Sequence, residues 1–353
     1  MLTRCTRSTN LVASLAVTIT FSAAACGDDK SDEPASSRES EDVEAASAEA
    51  ESGDDNATAA VDAVTETLEP VLGDLLSSFG ETVETGVAHS VEGGEFDVIA
   101  EYMEDEPVFH LTLPVDPSEV GRPLPVVAWA NGGCLRSDFL WQKGMFDLWA
   151  SNGYAILALT GTAGSDDVLG MVGFTTSAEQ RALVDWVEQQ NESGPYEGIF
   201  DLDRIVFAGN SCGGITSLEA ASLDERAAAV FVLSGSSGMG GANTEVMDKI
   251  TVPVAYVVGG EEDIAGANAS FDYEALAEGI PAMIAHRFEG DHLTVSSDMM
   301  IVPDVGKIGL SFMNLALFGK QSGYDELTSD TVCTGCAEGH WTLEAKHLDT
   351  LVE

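Results

Sequence analysis

Six short, almost continuously apolar runs dominate the hydrophobic pattern between residues 125 and 288, and polar or amphipathic stretches separate them. The runs are PVVAWA, YAILALT, RIVFAG, AAVFVLSG, VPVAYVVGG and AMIAHRF. Continuous apolar runs of this length are typical of strands that are covered on both faces of a parallel sheet. The pattern therefore predicts a buried, mostly parallel sheet.

The stretches around these runs predict helices, namely FLWQKGMFDLWASN, SAEQRALVDWVEQQ, ITSLEAASLDERA, DYEALAEG and KIGLSFMNLALFG. Ser177 and Gln180 have the spacing of a capping box at the start of the second helix. Alternating strands and helices predict an α/β fold, a doubly wound sheet with helices on both faces. Two strands near 96–102 and 108–113, joined by an acidic turn, are predicted to pair antiparallel ahead of it.

The first 25 residues have the organisation of an export signal. Arg4 and Arg7 precede the apolar segment LVASLAVTITF, which is too short to span a bilayer. The run Ala-Ala-Ala-Cys that ends at Cys26 resembles a lipobox, which implies a lipid anchor on Cys26 and attachment to a membrane. Cleavage at the small residues without lipidation is the alternative. The sequence thus predicts an exported protein, either a cell-envelope lipoprotein in the periplasm or on the outer surface, or a secreted protein.

Two segments separate this signal from the predicted sheet. Residues 26–56 are rich in Asp, Glu, Ser and Ala, so they cannot bury enough apolar surface to fold and are predicted to form a disordered acidic tether. Residues 57–82 repeat apolar positions every three or four residues, which predicts an amphipathic helix bent at Pro70. The remaining residues, 83–353, are interpreted as one α/β domain with a C-terminal Cys-x-x-Cys tail.

The charge of the chain excludes some classes of partner. The sequence has 60 acidic and 15 basic residues, a formal net charge of −45. Such a chain repels nucleic acids and anionic lipid head groups, so no nucleic-acid partner is expected. The acidic excess is interpreted as a means of solubility or of tolerance to a salty medium.

A serine between two glycines follows the third apolar run. The segment Gly-Asn-Ser-Cys-Gly places Ser211 between that predicted strand and a predicted helix. Gly-x-Ser-x-Gly at a strand-to-helix junction is the pattern of a nucleophile elbow, in which bulkier residues at the glycine positions would collide. Ser211 is therefore the candidate nucleophile, and a tight structural turn is the alternative interpretation.

A glycine pair follows the first apolar run and could supply an oxyanion hole. A serine nucleophile that attacks an ester needs two backbone N–H donors for the oxyanion. Cys212, the residue after the serine, is the first candidate donor, and Gly133 in the segment Asn131-Gly-Gly-Cys is the second. Gly132 is the alternative to Gly133, and an ordinary glycine turn is the alternative to a functional loop.

Carboxylates follow the fifth apolar run, where a catalytic acid is expected. Glu261, Glu262 and Asp263 are consecutive, and residue types alone leave the choice among them open. A triad acid has to orient the second ring nitrogen of a histidine and stabilise its imidazolium form.

His292 is the candidate general base. It lies in the segment Gly-Asp-His just after the sixth apolar run, in a loop late in the chain. His286 falls inside that run and is interpreted as a core or edge residue. The resulting chain order is serine, then acid, then histidine, which is the order of α/β-hydrolases.

These motifs together resemble the α/β-hydrolase superfamily, in particular its dienelactone-hydrolase and cutinase-like serine esterases. The resemblance covers residues 96–319 and depends on WANGGC, GNSCGG, the GEED turn that ends at Asp263 and the GDH turn that ends at His292. It implies the α/β-hydrolase fold. Asn131 departs from the pattern, because a histidine occupies this position in the HGG-type loop of such hydrolases.

The resemblance also implies an activity. The chain is expected to hydrolyse carboxylic esters through an acyl-enzyme, with Ser211 as nucleophile, His292 as base and Asp263 as acid, Glu262 being the second choice of acid. Small-molecule or polymeric esters are the expected substrates, and no metal or organic cofactor is expected. Amide, thioester or polyester cleavage by the same triad, or a surface lipoprotein that binds without turnover, are the alternatives.

Four cysteines outside the N-terminal segments are expected to form two disulfides, as is usual outside the cytoplasm. If the two loops of the oxyanion hole converge as the resemblance implies, a Cys134–Cys212 bond joins them. Cys333 and Cys336 then close a local loop. A free Cys212, with Cys134 bonded to the C-terminal segment, is the alternative.

Overall fold

The structure is a computed structural model. It describes residues 85–105, 107–134, 136, 142–161, 175–297, 302–333, 336 and 340–353. The predicted export signal, the lipidation site at Cys26, the acidic tether and the helix at residues 57–82 lie outside the described residues. No helix among the described residues combines the length and the apolar character needed to cross a membrane.

The described part of the chain is an α/β fold built on a nine-stranded, mostly parallel sheet. Its strands run in the order β1-β2-β4-β3-β5-β6-β7-β8-β9. The pairs from β4 through β8 are parallel, whereas β1, β2 and β9 pair antiparallel with their neighbours. The strands are β1 Val98–Met103, β2 Phe109–Pro114, β3 Leu124–Ala130, β4 Ala155–Leu159, β5 Phe200–Asn210, β6 Ala227–Leu233, β7 Val254–Val258, β8 Ala282–Arg287 and β9 Trp341–Lys346.

The six apolar runs form β3 to β8, so the prediction of a buried parallel sheet is confirmed. The predicted antiparallel pair is also confirmed, because β1 and β2 pair with Val98 opposite Pro114 and Met103 opposite Phe109. Strand β9 was not predicted. Its segment, assigned to a tail, pairs antiparallel with β8 at the edge of the sheet, and Trp341 is its one fully buried residue.

Helices connect the strands on both faces of the sheet. The described helices are α1 Lys143–Ala150, α2 Ser177–Glu192, α3 Cys212–Leu223, α4 Thr244–Met247, α5 Gly266–Ala275, α6 His292–Ser297, α7 Val302–Phe318 and α8 Gln321–Leu327. Helices α1 and α7 pack on one face, and α2, α3 and α5 pack on the other. Successive residues of β3 alternate between these layers: Val127 and Trp129 face α1 and α7, whereas Val126 and Ala128 face α2 and α3.

The capping box of α2 lies one residue before its predicted position. Thr176 is the N-cap, its hydroxyl accepts from the Glu179 N–H, and the Glu179 carboxylate accepts from the Thr176 N–H. Gln180 is instead fully buried, and its amide donates to the carbonyl of Ala128 on β3 and to that of Ala208 on β5. This buried amide ties α2 to the two central strands.

The chain reverses its winding direction at β3. It passes from β3 to β4 on one side and then crosses to β5 on the other side, so β3 lies between them. At the carboxyl ends of the central pair, Ala130 lies opposite Gly209. Ligands of open α/β sheets bind in the crevice beyond such a switch point. The loops that follow β3 and β5 therefore border the expected site.

Candidate active site

Ser211 is the single residue between β5 and α3. Its backbone has φ 53° and ψ −117°, a conformation that residues with a side chain rarely adopt. Two backbone hydrogen bonds fix the turn: the Ser211 N–H donates to the Leu233 carbonyl on β6 (2.8 Å), and the Ser211 carbonyl accepts from the Gly214 N–H (2.9 Å). Strain of this kind, of about 1–3 kcal/mol, persists only when the surroundings impose it, and it is common at functional sites.

The glycines on either side of Ser211 are required by close backbone contacts. A Cβ atom on Gly213 would collide with the carbonyl of Ala130 at the end of β3, and one on Gly209 would lie 2.8 Å from the same oxygen. The absence of side chains lets β3, β5 and the first turn of α3 approach one another. The Gly-x-Ser-x-Gly spacing thus has the steric basis expected from the sequence.

His292 lies within hydrogen-bonding distance of Ser211. Its Nε2 is 2.7 Å from Ser211 Oγ, and its side chain is 17% exposed. His292 is the first residue of α6, so the loop predicted from the sequence is here the start of a short helix. The buried amide of Gln142 donates to the Ser296 carbonyl (2.7 Å) and thereby fastens α6 to the segment before α1.

Asp263 holds the other ring nitrogen of His292. The distance from His292 Nδ1 to Asp263 Oδ1 is 2.8 Å, and the Asp263 side chain is fully buried. Since an ionised carboxylate only accepts hydrogen bonds, Nδ1 carries a proton and Nε2 is left to accept one from Ser211. The three residues selected from the sequence therefore form one hydrogen-bonded chain.

Three further donors surround the Asp263 carboxylate. They are the Ser234 hydroxyl (2.7 Å), the Gly259 N–H (2.7 Å) and the Ala265 N–H (2.9 Å). Burial by itself raises the pKa of Asp263, but the hydrogen bond from His292 and those from the other donors outweigh it. The pKa of Asp263 consequently lies below its ordinary value, and the residue remains a carboxylate at neutral pH.

The competing candidates do not contact Ser211. Glu261 and Glu262 are exposed on the turn before Asp263. His286 lies on β8, half buried, and its pKa is lowered chiefly by desolvation. Ser234 was missed in the sequence, because it stands at the end of the apolar run AAVFVLSG and belongs to no motif of the kind that selected Ser211.

The loop after β3 lies beside the serine turn. Residues Gly132–Cys134 form one 3₁₀ turn, in which Gly133 has φ 66°. Cys212 is the first residue of α3, so its N–H has no acceptor within the helix and is available to a ligand. Asn131 is buried and accepts from Trp129 Nε1 (3.0 Å) while donating to the Leu159 carbonyl (2.7 Å). It thus fixes the loop to β4.

Two cysteine pairs have sulfur atoms at disulfide distance. Cys134 and Cys212 have Cα atoms 5.1 Å apart across a sequence separation of 78 residues. Cys333 and Cys336 have Cα atoms 5.3 Å apart. Both pairs are compatible with the pairing expected from the sequence. The first pair would join the two loops that carry the candidate oxyanion donors.

Breaking the first pair is expected to impair catalysis more than folding alone explains. If Ser211 catalyses ester hydrolysis, we expect a Cys134→Ser/Cys212→Ser variant to have a kcat that is 10- to 100-fold lower, because loss of one oxyanion donor costs about 10²–10³-fold and this change only loosens the two candidate donors. Unfolding should become easier by roughly 4 kcal/mol, given the long closed loop. Steady-state kinetics and denaturant unfolding at the same temperature measure both effects.

The Cys333→Ser/Cys336→Ser variant is the matched control, since that pair closes a much shorter loop. Its kcat should stay within about twofold of the wild type. Equal kcat values for the two double variants would contradict a role for the Cys134–Cys212 pair. Peptide mapping without reduction checks the pairing itself, and a fragment joining Cys212 to Cys336 would overturn it.

A small open cleft of about 130 Å³ adjoins Ser211 and His292. Met239 and Ile264 line it and are 87% and 74% exposed, so an apolar rim borders the serine. A larger cavity, of about 890 Å³, is lined by Asp263, its neighbours Glu261 and Glu262, and His286. The smaller cleft contains the Ser211 hydroxyl and is therefore the candidate binding site.

One group of side chains among the described residues has metal-ligand chemistry. Asp304, Cys333 and Cys336 place donor atoms within 4.8 Å of one another in the layer of α7. A Cys333–Cys336 disulfide would occupy both sulfur atoms. The group is separate from Ser211 and does not enter the chemistry discussed below.

A hydroxyl, an imidazole and a buried carboxylate in sequential hydrogen bonds are the components of nucleophilic catalysis. No family model matches the chain, and a comparison with curated proteins finds no match either.

Proposed function

We propose that the protein is an exported serine hydrolase that cleaves carboxylic esters through an acyl-enzyme intermediate. The observation that carries the proposal is the chain of contacts from Ser211 Oγ to His292 Nε2 (2.7 Å) and from His292 Nδ1 to Asp263 Oδ1 (2.8 Å). The strand-to-helix turn at Ser211 and the order serine, acid, histidine support the α/β-hydrolase fold.

In the proposed reaction, His292 Nε2 takes the proton of Ser211 as the hydroxyl attacks the ester carbonyl. The carbonyl oxygen becomes an oxyanion, for which the N–H groups of Cys212 and Gly133 are the proposed donors, each worth about 3 kcal/mol of barrier. His292 then protonates the leaving alcohol. Water, deprotonated by His292, attacks the acyl-serine and regenerates the hydroxyl, and Asp263 stabilises the imidazolium in both halves.

The surroundings of Ser211 support neutral, partly apolar esters as substrates. Met239 and Ile264 offer apolar contacts at the mouth of the cleft, and the net charge of −45 disfavours anionic substrates. The proposed location is the cell envelope, with an anchor at Cys26, or the medium if cleavage occurs without lipidation.

A fluorophosphonate probe tests the assignment directly. Such probes bond covalently to an activated serine, so we expect one adduct per chain, located by peptide mass spectrometry on the peptide that contains Ser211. Prior heat denaturation should abolish labelling, because the hydroxyl is activated only next to His292. A folded protein that stays unlabelled would favour a binding protein over a hydrolase, and labelling at another serine would overturn the assignment of Ser211 as the nucleophile.

A further inference from the structure

Asp272 is a buried carboxylate that the proposed reaction does not use. It lies on α5 and is 0% exposed. One of its oxygens accepts from the Ser237 N–H and the other from the Ser237 hydroxyl. Among the described residues no lysine or arginine pairs with it. A buried charge without a countercharge is costly, so hydrogen bonds to both oxygens are its main compensation.

The partner of Asp272 belongs to the segment that joins β6 to α4, which we call the β6–α4 loop (residues 234–243). This loop begins with Ser234, which donates to the triad acid Asp263. Gly235 follows and packs so closely that a Cβ atom there would lie 2.8 Å from the Ser211 carbonyl. Met239, farther along, lines the substrate cleft. The loop therefore touches the acid, the nucleophile turn and the cleft.

Helix α5 holds the β6–α4 loop at two places. Asp272 binds Ser237, and the Asn268 side-chain carbonyl accepts from the N–H groups of Gly240 (3.2 Å) and Gly241 (3.1 Å). Asn268 and Asp272 are four residues apart, so they share one face of the helix. The two attachments flank Met239.

We infer that Asp272, as a carboxylate, is a positioning residue for the triad, and that its protonation loosens the β6–α4 loop and lowers activity. The inference rests on the proposed function. A carboxylate accepts both Ser237 hydrogen bonds at full, charge-assisted strength. A neutral carboxyl group accepts these hydrogen bonds less strongly, and its own O–H needs a hydrogen-bond acceptor. Ser237 Oγ already accepts from the Asn243 N–H (2.7 Å), so the change spreads along the loop.

Asp272 titrates in a pH range in which kinetics can be measured. Burial raises the pKa of Asp272 to about 6, against the opposing effect of the Ser237 hydrogen bonds. The elements packed against α5 carry Glu245 on α4, Tyr256 on β7, His286 and Arg287 on β8, and Lys346 on β9, which donates to the Tyr273 carbonyl. Of these, Tyr256 interacts with the charge of Asp272. Burial, and to a smaller extent the Asp272 carboxylate, raise the pKa of Tyr256 well above its ordinary value, so Tyr256 stays neutral.

Stability and activity should respond to this titration in opposite directions. The pKa of Asp272 in the folded protein exceeds its ordinary value of 3.8, so the folded state binds the extra proton as the pH falls from about 6 toward 4. Protonation of Asp272 therefore stabilises the fold in that window. If the residue positions the triad, activity falls in the same window. A purely structural role predicts that this titration leaves the activity of the folded protein unchanged.

The test compares Asp272→Asn with the wild type in kcat against pH, using a neutral short-chain ester. A single histidine base gives log kcat an acid limb of slope one. We expect the acid limb of log kcat to have a slope greater than one in the wild type and a slope of one in the Asp272→Asn variant. At pH 8 we expect kcat of the variant to be about tenfold lower with KM within twofold, because small misplacements of catalytic groups are costly. The melting temperature should equal or exceed that of the wild type, since a buried charge is removed.

Two further variants keep the outcome interpretable. Ser237→Ala removes one donor to the carboxylate and should also lower kcat with little change in KM. Asp304→Asn removes a buried carboxylate in the opposite layer of the sheet and should retain the kcat and acid limb of the wild type.

An Asp272→Asn variant with the same acid limb as the wild type would overturn this inference but not the proposed function. So would one whose kcat and melting temperature at pH 8 fall together. A wild-type protein that neither labels with fluorophosphonate nor turns over any ester would overturn the proposed function instead.

Discussion

Replacing Ser211 by alanine is expected to lower kcat for a short-chain chromogenic ester by roughly 10⁵-fold or more. The hydroxyl is the only group beside His292 Nε2 placed to form the acyl-enzyme among the described residues, so only His292, Asp263 and the proposed oxyanion donors would remain to assist direct attack by water. Labelling by a fluorophosphonate should disappear as well. Progress curves at high enzyme concentration measure the residual rate.

The fold should tolerate this change, which separates a catalytic role from a structural one. Alanine has the same unfavourable φ of 53° as the serine, so the melting temperature should stay near the wild-type value. Ser211→Gly should melt higher, because glycine adopts this conformation without strain. Ser222→Ala, on α3 away from the cleft, is the matched control and should keep full activity. Substantial turnover by Ser211→Ala would end the assignment of the nucleophile.

The central sheet could be predicted because its strands are buried on both faces. Such strands are apolar at every position, so β3 to β8 are visible as continuous runs without knowledge of their partners. Strand β9 lies at the edge, and after Trp341 its residues are exposed or half-buried without strict alternation. Strand β9 forms because it makes hydrogen bonds to β8, and pairing between distant segments cannot be predicted from the residues of β9 alone.

The three triad candidates could be selected because strand ends constrain where reactive groups lie. Ser211, Asp263 and His292 each follow a recognisable apolar run, and the carboxyl ends of parallel strands meet at one edge of the sheet. The choice of Asp263 over its two neighbouring glutamates depended on family resemblance, because three adjacent carboxylates are equivalent in sequence. In the structure, Asp263 is buried against His292 and Glu262 is exposed.

Supporting residues were harder to predict than the triad. Ser234 and Asp272 act through hydrogen bonds between segments that are distant along the chain, and neither residue belongs to a motif. Gln180 was interpreted as a helix cap, yet its amide is buried between two strands, and the neighbouring pair Thr176 and Glu179 forms the cap. Capping motifs shift by one residue easily, since Thr176 and Ser177 are both good N-caps.

Asp263 and Glu262, the two candidate acids, are expected to differ widely in their effect on kcat. In Asp263→Asn we expect kcat to fall by about 10⁴-fold, because an amide N–H facing His292 Nδ1 would favour the tautomer that carries its proton on Nε2. That imidazole cannot accept the Ser211 proton. Glu262→Gln removes the adjacent carboxylate, which is exposed and does not contact His292, and should keep kcat within about twofold. Kinetics of the two variants at pH 8 make the comparison.

The pH dependence gives an independent check on Asp263. Its pKa in the folded protein is below the ordinary value of 3.8, because hydrogen bonds from His292, Gly259, Ala265 and Ser234 outweigh the effect of burial. Its ionisation therefore contributes stability that is fully present above pH 4 and is lost only as the pH falls through the lowered pKa. Denaturant unfolding of the wild type relative to Asp263→Asn should show a stability difference that is still present at pH 5 and shrinks below pH 4. A difference that disappears between pH 7 and pH 5, or a larger loss of kcat in Glu262→Gln than in Asp263→Asn, would show that the buried carboxylate is not the partner of the base.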